Sequence, residues 1–142
     1  MLTAEGGDAF GQILVQGDNV IVPAAGNFYV GLCNQTPAFS DTLVSITTEP
    51  TSAGGYARQP LSRDATGWPN TNINVNGENL WRSAILTFAA SGADFSDPFT
   101  RLFLCNVVSG TAGILFAYSG ASPSEILILD GTSRDLIFEI FS

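Results

Sequence analysis

The feature that most constrains this chain is a recurrence of short β-type runs cut apart by Gly, Pro, Asn, Asp and Ser clusters. No window sustains a helical 3.6-residue period. Residues 12–16 (QILVQ) and 19–22 (NVIV) flank Gly17-Asp18, which reads as a tight hairpin. Further strands are predicted at 27–33, 56–62, 80–88, 100–108, 112–118, 125–130 and 135–141, and 43–48 reads as a short strand or a one-turn helix. Gly31 inside the 27–33 run suggests a bulge. Ser109-Gly110-Thr111 reads as a hairpin turn, and 64–79 as a polar, Asn-rich loop with one short strand at 73–75. Short strands at regular spacing, with no break in composition, predict a single all-β domain over 12–142, an antiparallel β-sandwich or jelly roll. Residues 1–11, Gly-rich and unpatterned, read as a flexible N-terminal arm that orders on assembly.

Several of these runs are apolar on both alternating faces. Leu102 and Leu104 alternate with Phe103 and Cys105; Leu136, Phe138 and Ile140 alternate with Ile137 and Phe141. An antiparallel sheet with one wet face alternates more cleanly, so a loop, a second sheet or another subunit must cover the second face. Composition suits either partner contact or an unusually well-buried monomer: 45% of the 142 residues are apolar and only 13% are charged, against roughly a quarter in an average domain. A chain this poor in charge suits a protein that hides part of its surface against partners.

The same composition excludes whole classes of chemistry. There is no His and no Lys; five Arg (58, 63, 82, 101, 134) stand against 13 acids, a net charge of −8. Nucleic acid and anionic membrane surfaces need a basic stripe, so neither is an expected partner. Without His the commonest general base and metal ligand are missing, and without Lys so is Schiff-base chemistry. No P-loop, GxGxxG, GxSxG or zinc-type cysteine pair is present, and no enzyme activity, cofactor or metal is expected. Asp94 and Asp97 are the nearest approach to a Ca²⁺ pair and read better as turn residues. Cys33 and Cys105 sit in apolar runs and read as buried free thiols. No signal peptide or membrane-spanning length of apolar sequence is seen, which predicts a soluble protein made in a cytoplasm.

GGYARQPL (54–61), then a polar loop, LWRSAILTFAASGADF (80–95) and LFLCNVVSGTAGILFAY (102–118) together resemble a pattern common in virion proteins of tailed bacteriophages. The likeness covers roughly 27–142; here GTAGILF lacks the double glycine usual in the second motif, and the first 25 residues match no part of it. The resemblance implies a virion structural protein. The first expectation is a capsid cement or decoration protein that binds the major capsid protein through many weak contacts and forms homo-oligomers. The second is a tail component such as an adaptor, tail-tip or fibre-base domain. A more remote reading is a carbohydrate-binding sandwich using Tyr56, Trp68, Trp81 or the Asn-rich 70–79 loop. Candidate partner-contact residues are Phe10, Arg58, Trp68, Asn70, Asn72, Trp81, Arg82 and Arg101. Each Arg among them also has a structural alternative, pairing with a carboxylate or lying along a sheet.

Overall fold

A computed structural model describes residues 1–16, 26–75 and 78–141, with no account of the side chains of 13–15, 70–75, 78, 79 and 141. The predicted hairpin turn at Gly17-Asp18 and the run 19–22 lie outside the described residues. Its centre is a four-stranded antiparallel sheet in the order β2-β1-β6-β7, made of β1 (Asn27–Cys33), β2 (Gln59–Ser62), β6 (Arg101–Cys105) and β7 (Leu115–Tyr118). Two smaller sheets follow: β3 (Asn70–Val75), β4 (Glu78–Arg82) and β9 (Glu139–Phe141) in one, β5 (Leu86–Ala89) and β8 (Ser133–Leu136) in the other. Every pairing among them is antiparallel. Pro60, whose nitrogen donates nothing, sits in edge strand β2, where a sheet tolerates it.

The β-rich expectation holds, with differences in detail. The run 80–88 is two strands, broken at 83–85, and 135–141 is likewise β8 and β9. The run 125–130 makes only a bridge, Ile126 to Phe99. Residues 43–45 form a single 3-10 turn. Gly31 makes no bulge, since β1 and β6 pair without interruption from Tyr29–Cys105 to Cys33–Arg101. Instead the Phe103 ring occupies the place of its missing side chain, where a Cβ would lie 2.3 Å from the ring.

The N-terminus departs furthest from expectation. Residues 4–15 form helix α1 (Ala4–Val15), not a loose arm running into a strand at 12. Thr3 caps it, its hydroxyl accepting from the Gly6 amide at 3.1 Å. Ahead of the helix, Leu2 bridges Ala117 and so extends the sheet beyond β7. The Thr3 amide donates to the Phe116 carbonyl at 3.0 Å, and the Tyr118 amide to the Met1 carbonyl at 2.9 Å. Gly6 has no room for a side chain: a Cβ there would sit 2.1 Å from the Phe116 carbonyl oxygen. Three glycines in twelve residues hide this helix from propensity, and packing restores it.

The central sheet is buried on both faces. On one side Phe28, Val30, Leu32, Leu102 and Leu104 meet Leu86, Phe88, Ile128 and Phe138, with Ala9 of the helix closing the end. On the other, Cys33, Phe103, Cys105 and Tyr118 lie under Leu43 and Ile46. The loop 34–50 therefore supplies the missing cover, and the two-faced strands require no second subunit. Polar bonds hold that loop down: Tyr118 donates to Asp41 at 2.8 Å, and Gln35 donates to Tyr118 at 3.2 Å. Cys33 and Cys105 stand four positions apart along the β1–β6 ladder, about 13 Å, too far for a disulfide. Both are free and buried, and burial pushes the Cys33 thiol up to about 12.

Candidate interaction surface

The eight sequence candidates separate into core and surface. Arg58 belongs wholly to the core. Its guanidinium forms a two-pronged ion pair with Glu49, Nε to Oε1 at 2.9 Å and Nη2 to Oε2 at 2.8 Å. It donates further to the carbonyls of Val107 (3.1 Å) and Gly110 (2.9 Å) and to Cys105 Sγ (3.5 Å), so all five of its N–H groups are engaged. The same group stands over the Phe103 ring, 5.1 Å from its centroid. Tyr56 completes the cluster, donating to Glu49 at 2.8 Å and accepting from the Leu32 amide at 3.0 Å. With no donor left over and no exposure, Arg58 cannot reach a partner, which corrects its place among the contact candidates.

Phe10 and Trp68 are packing residues. Phe10 stacks on Phe116 at 5.0 Å, and Trp68 meets Phe28 edge-on at 6.3 Å. Asn70 and Asn72 lie in β3, so the predicted polar loop is largely the β3–β4 pair. Asp94 accepts from the amide of Asp130, 36 residues on, and Asp97 from the Ser96 hydroxyl, and neither bond is the local backbone cap expected of a turn residue.

Trp81, Arg82 and Arg101 remain on the surface, and two of them meet at one place. Arg82 of β4 pairs with Glu139 of β9, Nε to Oε1 at 2.7 Å. Glu139 lines a groove of about 310 Å³ that Arg101 also lines, between β6 and the β8–β9 segment. Its walls include Phe99, Leu102, Ile126 and Ile137. Arg101 uses one nitrogen on the Ser119 carbonyl, at 3.0 Å, which leaves donors to spare in a way Arg58 does not.

Beside the groove the outer face carries an apolar spot. Ile85 and Ile137 precede and follow the Leu86–Leu136 pair of β5 and β8, and they are 65% and 47% exposed. Polar pairs flank these residues in sequence: Arg82–Glu139 of the β4–β9 ladder on one side and, in the β5–β8 ladder, the Thr87 hydroxyl donating to Asp135 at 2.6 Å on the other. Trp81, opposite Ile140, is partly exposed nearby in β4. An apolar centre with a polar rim has the anatomy of a protein-binding patch. Among the described residues β8 and β9 each have a strand neighbour on one side only, so their outer edges are open.

Sequence reasoning found Arg82 and Arg101 but not Ile85, Ile137 or Glu139. The signal was present: Ile137, like Phe141, is an apolar residue on the side opposite Leu136, Phe138 and Ile140 in that run. In the described residues no group of His, Cys, Asp or Glu is placed to hold a metal ion, and no helix is long and apolar enough to cross a membrane. No family model matches the chain, and no curated protein matches it significantly.

Proposed function

We propose that this chain is a structural protein of a virion, a capsid cement or decoration protein that binds other virion proteins, carries out no catalysis, and folds as a sandwich of the sheets above. The observation that carries the reading is the exposed Ile85–Ile137 spot, rimmed by polar pairs, on a chain with only 13% charged residues. Isolated exposed apolar residues are ordinary; two that flank the Leu86–Leu136 pair, beside an apolar groove and an open edge, are what a docking surface needs. The likeness of 54–61, 80–95 and 102–118 to tailed-phage virion proteins supports the same reading. Cement works by number: many copies each bury a modest patch, and avidity makes the sum strong against internal pressure. A net charge of −8 keeps free copies apart from nucleic acid and from one another's acidic faces until a specific contact forms.

The deciding experiment is the copy number of the chain in purified particles from its source, by quantitative peptide mass spectrometry against the major capsid protein. Hundreds of copies place it on the shell. A few dozen or fewer move it to the tail, and absence from particles overturns the virion role.

A further inference from the structure

The groove carries two complementary halves of one contact. Arg101 offers a guanidinium with spare donors, and Glu139, which lines the same groove and holds Arg82 through Oε1, offers its second carboxylate oxygen. Between them lie apolar walls, and Ile137, one of those walls, is half exposed toward the outside. A surface that bears both the cation and the anion of an ion pair, the apolar recess and the apolar residue to fill it, is complementary to itself. Under a two-fold axis residue i meets j and j meets i, so such a surface closes on a second copy and makes both ion pairs at once. The net charge of −8 on each copy opposes approach at long range, so local opposite charges at the contact are what would set its register.

We propose that this groove is the seat of a two-fold contact between copies of the chain, with Arg101 of each copy on Glu139 of the other and the two Ile137 side chains buried between them. The proposal deepens the assembly reading above, on which it rests for its biological setting, by naming the partner at this surface as a second copy. The same open strand edge suits an extended segment of a different protein, and that occupant is an outcome of the test.

The test uses the full chain and charge reversal, read by analytical ultracentrifugation over a wide concentration series. Wild type is expected to dimerise. Arg101→Glu alone places two carboxylates face to face twice over, and Glu139→Arg alone does the same with two cations. Each is expected to weaken dimerisation by about tenfold or more. Mixed together, the two variants restore both opposite-charge pairs and are expected to form a heterodimer, which repulsion inside one molecule does not predict. Because Glu139 also holds Arg82, Ile137→Asp serves as a second variant that leaves both ion pairs in place, and circular dichroism checks that each chain folds. A monomeric wild type, unaltered dimerisation of the single variants, or a mixture that stays monomeric overturns the contact. A monomeric wild type present at high copy number in particles overturns the two-fold contact alone, with a different protein as the occupant. Charge-dependent dimers of a chain absent from particles uphold the contact and remove the virion role.

Discussion

At the scale of single residues, the buried cluster Glu49–Tyr56–Arg58 shows how one side chain ties remote parts of a β domain together. Arg58 joins the loop before β2 to the turn between β6 and β7 through its ion pair with Glu49 and its bonds to Val107 and Gly110. Its charge is compensated and its donors are filled, so the loss of one partner is costly even where the pair itself adds little. Arg58→Met is expected to lower unfolding stability by about 3 kcal/mol in urea titrations, since it leaves Glu49 with no counter-charge and removes the guanidinium from the Val107 and Gly110 carbonyls. Arg58→Lys is expected to recover little of this, because an ammonium cannot make the two-pronged contact. Sequence reading placed Arg58 among partner contacts because scarce charge near a strand looks alike whether it faces inward or outward. What separates the cases is Glu49, nine residues earlier in an unpatterned loop, and nothing in local spacing marks that pairing.

Among elements, the strands of the central sheet were legible because their apolar runs are long and bounded by turn residues. Helix α1 was not, because Gly6, Gly7 and Gly11 are poor helix formers and its anchors lie more than a hundred residues away. Those anchors are the β7 backbone: Thr3 donates to the Leu115 carbonyl, and Glu5 accepts from the Leu115 amide at 2.7 Å. The close approach of helix to strand depends on Gly6, so Gly6→Val is expected to push α1 off β7 and expose Phe116 and Ala117. The overpacking cost is about 1–3 kcal/mol, read as a lower melting temperature with increased binding of a hydrophobic dye. A Gly7→Ala control, at a position with nothing within 4 Å of the added carbon, is expected to leave stability equal or slightly raised. The loop 34–50 is the second element that local pattern concealed: polar and Pro-punctuated, it nonetheless closes the far face of the sheet with Leu43 and Ile46.

For the whole molecule, composition foretold one kind of behaviour and topology decides another. The chain has no His, and its buried acids of high pKa are two thiols and two phenols. Burial raises Cys33 from near 9 to about 12, and burial also raises Cys105, Tyr56 and Tyr118. A group whose pKa is higher folded than unfolded contributes stability in full below its unfolded value and loses it as pH rises toward the folded one. Unfolding free energy is therefore expected to hold up to about pH 9 and then fall, by about 1.4 kcal/mol per pH unit for each such group titrating in the unfolded chain. Thermal melts from pH 7 to 11 check this, and Cys33→Ala, though less stable at neutral pH for want of packing, is expected to show a shallower alkaline decline. The surface answers to different variables. Ile85 and Ile137 are exposed, so Ile85→Glu with Ile137→Glu is expected to change the free energy of unfolding by less than about 1 kcal/mol. In an assembled particle the same two charges would be buried against an apolar patch, and the doubly substituted chain is expected to be lost from particles while its melting temperature stays near wild type. Retention at wild-type copy number would show that the outer face of β5 and β8 is solvent in the particle, and would return the search for the contact to Trp81 and the β3–β4 pair.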